Sequence, residues 1–277
     1  MDLPEESPAA AASCSGDHHQ ERRRTCTTGC GRPVSVCLCH TLPSTPIPTA
    51  TKIVILHHPH ERRHKLATVP ILSKCLNCEI IVGRKLKYGQ SKLLDSLHDQ
   101  ACENPNFPLG RALYLFPGPK ALPFVEVSRA YSSHDNVDNN DLVLIVFDGT
   151  WKHAKEMVLA SLSFLSKFAI QVCLAFDDGV DGGTIFDSEL ILRKEPFAGC
   201  MSTMEAVARC LRVLERNGID IESRIIKVLR AMVSFQTCFL KPLKPRPKLM
   251  KNNTGKNGND TLTRSVNDIE FSLIIIL

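Results

Sequence analysis

Four stretches of this 277-residue chain carry side chains able to do chemistry. Asp148, Gly149, Thr150 and Trp151 stand together, giving a carboxylate that can take a proton, a hydroxyl, and the single indole of the chain. An isolated Asp-Gly-Thr is most often an ordinary strand-to-helix turn, and the lone Trp beside it is what points to a site. Cys26, Cys30, Cys37 and Cys39 fall within fourteen residues, spaced C-x3-C-x6-C-x-C. Four thiolates so close can close a tetrahedral zinc site and staple a segment too short for a core of its own. Zinc is favoured over free structural thiols, with His40 as a substitute ligand should one cysteine be out of reach. His57, His58, His60 and His64 invite a metal reading. Pro59 breaks their spacing, however, and Glu61, Arg62, Arg63 and Lys65 favour a polar turn leading into a basic helix, able to touch a phosphate or a base. Last, Ser202 or Thr203 can cap a helix whose unpaired N–H groups form an anion site, with Glu205 in its first turn where the dipole favours a negative charge.

These groups need elements to hold them. Leu142–Phe147 is an unbroken apolar run rich in β-branched residues and predicts a central strand buried on both faces, ended by Asp148. Thr150 can cap a helix beginning at Trp151, with Ala154, Met157, Val158, Leu162 and Leu165 at helical spacing. A site at such a carboxyl edge is where open α/β sheets bind ligands. Short strands are predicted at 52–56, 79–82, 112–116 and 171–176, helices at KLLDSLHD, 202–216 and 222–240, with Asn217-Gly218 closing the second. A Gly/Asp-rich loop at 177–188 is long enough to be a lid or an insertion.

Composition bounds the class. With 43% hydrophobic and 23% charged residues, the chain reads as a folded domain with tails: 1–23 disordered, 24–240 structured (24–43 being the cysteine cluster), and 241–277 a flexible tail. The tail carries six Lys/Arg between 241 and 256 and no acid, which suits a nucleic-acid backbone. A formal charge of +5 only permits such a partner. The N-terminus shows no secretory pattern, so twelve cysteines are expected to stay reduced in a cytoplasmic and/or nuclear protein. No apolar run approaches the ~20 residues that would span a membrane. Nothing in the sequence implies an obligate protein partner.

Three stretches together resemble a known family: R-P-x-x-x-C-x-C-x-x-L-P at 32–43, D-G-T-W at 148–151, and S-T-M-E-A at 202–206. They are similar to the DTW-domain family, the tRNA-uridine aminocarboxypropyltransferases. H-P-x-E at 58–61 and A-T-V-P-I-L at 67–72 also resemble family stretches, and the likeness runs colinearly over about 24–240. The chain departs from the family in C-x3-C where C-x-x-C is usual, in His57 where Gln is frequent, in an enlarged 177–188 loop, and in its C-terminal end.

The resemblance implies an α/β, SPOUT-like fold with a knotted S-adenosylmethionine site and tRNA as partner. It implies transfer of the 3-amino-3-carboxypropyl group to N3 of a uridine, leaving methylthioadenosine, with no redox cofactor. On that reading Asp148 is the general base, Trp151 stacks on a base, and Thr150 supplies a hydroxyl contact. Ser202, Thr203 and Glu205 then face the cofactor, while His58, Arg62, Arg63, Lys65 and Arg193 meet the RNA. Two rival readings share parts of the pattern: a SPOUT-like RNA methyltransferase, and a non-catalytic zinc-containing RNA-binding protein.

Overall fold

The computed structural model describes residues 24–27, 29–104, 110–132, 142–174 and 201–237. Arg193, the 177–188 loop and the basic tail lie outside the described residues. Six strands are formed: β1 (Lys52–His57), β2 (Cys78–Val82), β3 (Ala112–Leu115), β4 (Leu122–Pro123), β5 (Val143–Asp148) and β6 (Ala169–Cys173). They make one sheet in the order β2-β1-β5-β3-β6-β4, every pair parallel. Parallel neighbours need crossover connections, so helices must cover the faces. β5 lies between β1 and β3 with every residue buried, as its unbroken apolar run demands.

The helices are α1 (Val69–Cys75), α2 (Lys92–Glu103), α3 (Phe124–Ser132), α4 (Trp151–Leu165), α5 (Thr203–Leu214) and α6 (Gly218–Thr237). Side chains alternate across the sheet. Ile53, Ile55, Leu144 and Val146 pack with residues of α1, α5 and α6 on one face. Val54, Leu56, Ile145 and Phe147 pack with α2 and α4 on the other. The cysteine segment joins the first face through Cys30 and the fully buried Leu38. Glu215, just after α5, accepts the N–H groups of Ala50 at 3.0 Å and Thr51 at 2.8 Å, tying the entry of β1 to the helical layer.

Several boundaries differ from the sequence reading, for local reasons. The basic residues after β1 do not enter a basic helix. Glu61–Arg63 is a single 3₁₀ turn, and the helix that follows starts at Val69 and buries Val69, Ile71 and Leu72. Gly218 does not close α5 but opens α6, and a Cβ there would fall 2.1 Å from the Arg212 carbonyl oxygen, so only glycine fits this tight corner. β4 and α3 were not expected, because P-F-V-E-V-S-R mixes strand and helix preferences over too few residues to show a period.

Candidate functional site at the carboxyl edge of the sheet

In the parallel register His57, the last residue of β1, lies opposite Asp148, the last residue of β5. Both strands end an apolar run in a buried polar residue, and the two side chains meet: His57 Nδ1 is 2.6 Å from Asp148 Oδ2. A proton must lie between such atoms, and the carboxylate is the acceptor, so Nδ1–H donates. The other carboxylate oxygen, Oδ1, accepts the Thr203 hydroxyl at 2.5 Å. Asp148 is 4% exposed, His57 3% and Thr203 fully buried. A buried carboxylate is tolerable only when hydrogen-bonded, and here each oxygen holds one donor while keeping a second acceptor direction. The backbone closes the arrangement, since His58 N–H donates to the Asp148 carbonyl at 2.9 Å. A Cβ on Gly149 would lie 3.1 Å from His153 Cβ and 3.4 Å from His58 Cβ, so glycine lets the two loops meet.

Thr150 caps α4, its hydroxyl accepting the His153 N–H at 3.4 Å, and Trp151 begins the helix half-buried. The indole stacks on Phe116, just past β3, with ring centroids 5.1 Å apart and planes 11° from parallel. One indole face is therefore used by the protein. At α5, Ser202 is the cap, its hydroxyl accepting the Glu205 N–H at 3.2 Å. Glu205 is fully buried and its Oε1 meets Arg209 at 3.3 Å, in a chain continued by Glu222 and Arg212. Asp148, Thr150, Trp151, Ser202, Thr203 and Glu205 thus lie at or near one edge, where two capped helix starts converge on the end of β5. Of the residues expected to face a cofactor, Thr203 is turned to Asp148 and Glu205 to Arg209.

The histidines form a second group. His58 and His153 stack with centroids 3.9 Å apart and planes 12° from parallel, and His60 stands edge-on to both. Ring nitrogens of the three lie within 4.8 Å of one another. A metal, however, needs in-plane lone pairs that converge at about 2.0–2.1 Å. Lone pairs in parallel rings point along parallel planes, so His58 and His153 as packed form an aromatic stack and do not aim at one shared ion, although the three ring nitrogens are close enough to hold one. Burial, the neighbouring His153 and His60 rings and the Arg84 guanidinium hold His58 below the ordinary histidine value. His153 Nδ1 is buried and has no hydrogen-bond partner among the described residues. His57 and His64 stand apart from the stack, the first on Asp148, the second with its Nδ1 accepting the Leu66 N–H at 3.2 Å. Arg62, Arg63 and Lys65 are exposed on the turn beside it.

The four cysteines do come together. Cys26 Sγ is 3.5 Å from Cys39 Sγ, and Cys30 Sγ is 3.6 Å from Cys37 Sγ, with all four sulfurs within 4.8 Å. A disulfide would need about 2.05 Å, whereas two thiolates on one tetrahedral zinc, at about 2.3 Å each, sit roughly 3.8 Å apart. Backbone N–H groups already point at the sulfurs, Cys30 N at Cys39 Sγ (3.2 Å) and Leu38 N at Cys30 Sγ (3.4 Å). The Cys39 thiol beside it pulls Cys26 down to about 6. Gly29 is required, because a Cβ there would meet Cys39 Sγ at 2.2 Å. His40 is turned away, edge-on to Phe235 at 5.7 Å.

Sequence reasoning missed His57 and Phe116 as members of the site. The signal for His57 was present: KIVIL-H and LVLIVF-D end alike, and parallel pairing puts their ends side by side. The pairing of Thr203 with Asp148 bridges 55 residues and has no local signal.

The DTW domain model matches residues 23–237. Among curated proteins, tRNA-uridine aminocarboxypropyltransferase A of Arabidopsis thaliana is 49% identical over 243 residues, covering 84% of this chain and 88% of that protein. tRNA-uridine aminocarboxypropyltransferase 2 of Mus musculus is 31% identical over 224 residues, covering 79% of this chain and 65% of that protein. Its counterpart in Macaca fascicularis is 30% identical over 222 residues, covering 78% and 64%. The chain spans just under two thirds of the length of these two mammalian proteins. No solved structure matches it significantly.

Proposed function

Because the chain belongs to the DTW-domain family, we propose that it is a tRNA-uridine aminocarboxypropyltransferase that places the 3-amino-3-carboxypropyl group of S-adenosylmethionine on N3 of a uridine. The observation that carries the chemistry is the buried Asp148 carboxylate, gripped by His57 and Thr203 at the mouth of the sheet. S-adenosylmethionine, when bound, supplies a γ-carbon activated by the sulfonium, and methylthioadenosine leaves.

The chain's own residues must hold the uracil, take its N3 proton and exclude the wrong geometry. Uracil N3–H is weakly acidic, so a carboxylate that accepts its proton as the N–C bond forms is worth about 100- to 10,000-fold. Asp148 fills this role through a remaining acceptor direction, and His57 and Thr203 are positioning residues that fix its plane. The face of Trp151 away from Phe116 takes a base, the indole being held by its stack on Phe116. The Thr150 hydroxyl, an acceptor for the helix, keeps its own proton to donate to a substrate oxygen. Binding of the methionine carboxylate falls to the start of α5, where Ser202 orders the first turn and backbone N–H groups carry positive partial charge. A polar ligand fits this edge because His153 Nδ1, in the first turn of α4, is buried there with no hydrogen-bond partner among the described residues.

Structural zinc at Cys26, Cys30, Cys37 and Cys39 belongs to the same proposal and is supported by the sulfur spacing. So does a knotted, SPOUT-like path. What supports it is that α5 returns to the end of central β5 after β6 has been laid beyond β3.

The test is incubation with tRNA and labelled S-adenosylmethionine, followed by mass spectrometry of the nucleosides and of the by-product. Aminocarboxypropyluridine with methylthioadenosine is expected. A methylated nucleoside with S-adenosylhomocysteine would make it a methyltransferase, and tRNA binding with no modified nucleoside would make it a binding protein.

A further inference from the structure

We propose that Arg84, Lys85 and Lys87, on the loop after β2, join Arg62, Arg63 and Lys65, on the turn after β1, in a two-loop strip that binds the tRNA phosphate backbone beside Asp148. The inference rests on the tRNA reading above and adds a surface to it.

β2 ends at Val82, in register with His57, which is in register with Asp148. The chain therefore leaves β2, β1 and β5 at the same edge, and two strand spacings put the β2 exit about 10 Å from Asp148. The Gly83 N–H donates to the His57 carbonyl at 3.1 Å, so the second loop starts against the first. Leu86 then plugs in, 1% exposed, with its N–H on Ser161 Oγ at 2.9 Å. That anchor leaves Arg84, Lys85 and Lys87 outside, and all three are exposed, as are Arg62, Arg63 and Lys65. The loop is pinned further along as well, where Lys87 N–H donates to Gln90 Oε1 at 2.9 Å and Gly89 N–H to Asp95 at 3.0 Å.

None of the six cations forms an ion pair among the described residues, whereas Lys152, Arg209, Arg212 and Arg224 each do. The nearby acids are otherwise engaged: Glu61 is buried beneath the turn, Asp95 holds the loop backbone, and Asp99 accepts the Tyr88 hydroxyl at 2.9 Å. An ordered run of unpaired positive charge beside a proton acceptor suits a polyanion that must be brought to it. Arg reads phosphate with paired N–H groups and Lys as a point charge, so together they follow a backbone without reading bases.

The test compares R84A/K85A/K87A with R216A/K227A/R230A, which removes the same charge from exposed positions at the end of α5 and on α6, elements of the opposite face. tRNA binding is measured from 50 to 200 mM salt, alongside S-adenosylmethionine binding and transfer at saturating tRNA. Each lost phosphate contact lowers the log–log salt slope by about 0.9 on a duplex. The loop variant should lose about 2–3 from the slope, so its affinity gap from the unmodified protein narrows about 40-fold over that range. Lys85→Glu alone should move the same way by at least one contact, with thermal midpoint unchanged. An unaltered slope in both loop variants, or an equal drop in the α6 control, would overturn the strip. Failure of the unmodified protein to modify tRNA would instead sink the functional reading, and the binding slope tests the strip independently of that outcome.

Discussion

Thr203→Val removes one oxygen and keeps the shape of the side chain. Thr203 is fully buried, and among the described residues its hydroxyl is the side-chain donor to Asp148 Oδ1, at 2.5 Å. A hydrogen bond to a charged acceptor contributes about 1.5–3 kcal/mol, and the valine would leave that oxygen without its donor. For a domain of this size about 1 kcal/mol shifts the unfolding midpoint by roughly 2–4 °C, so a fall of about 3–12 °C is expected. The carboxylate would also lose one of the two contacts that set its plane, and a displacement near 1 Å costs about 100-fold in rate. Thermal unfolding, calorimetric titration with S-adenosylmethionine and single-turnover transfer read these effects separately. The expected pattern is a lower midpoint and slower transfer with near-normal cofactor affinity, and recovery in Thr203→Ser. A Val variant with unchanged midpoint and transfer rate but weakened S-adenosylmethionine binding would refute the reasoning and return Thr203 to the cofactor carboxylate.

Purified protein should contain about one zinc by elemental analysis, and Cys30→Ser should lose it, whereas zinc retained in Cys26→Ser would bring His40 into the set. Trp151→Ala should lose roughly 1–3 kcal/mol of base contact, seen as a raised KM for tRNA that high RNA concentration relieves. Truncation after Leu240 should weaken tRNA binding at moderate salt and leave the modified nucleotide unchanged, as nuclease mapping will show. His58, held below the ordinary value near 6.5, takes up a proton in the unfolded chain before it does so in the folded one. Its share of stability is whole above about pH 6.5 and declines as pH falls below it, so His58→Gln should flatten the midpoint between about pH 7 and 5.

The parts of this architecture that were legible in the sequence are those set by local rules. An apolar run with no alternation gave β5 buried on both faces, and a hydroxyl before a helical stripe gave the caps at Thr150 and Ser202. Four clustered cysteines gave a sulfur site whose distances suit a metal. What was not legible depended on which strands lie side by side. His57 became Asp148's partner only because β1 and β5 are neighbours in register, and Arg84 joined Arg62 only because β2 flanks β1. The histidine stack needed His153 from α4 to meet His58 and His60. The basic helix expected after His64 failed because cations fit an exposed turn, while the helix beyond had to bury Val69, Ile71 and Leu72.

The most direct measurement is transfer by Asp148→Asn at neutral and raised pH. The amide keeps the size of the side chain and can still accept from Thr203, but it cannot take a proton. Folded protein that binds S-adenosylmethionine and tRNA yet transfers about 100- to 10,000-fold more slowly is expected. Activity should partly return as pH rises, because a uridine that has already lost its N3 proton needs no base. Near-normal transfer by Asp148→Asn at neutral pH would contradict the base role, and loss of cofactor binding together with activity would make Asp148 a cofactor ligand instead.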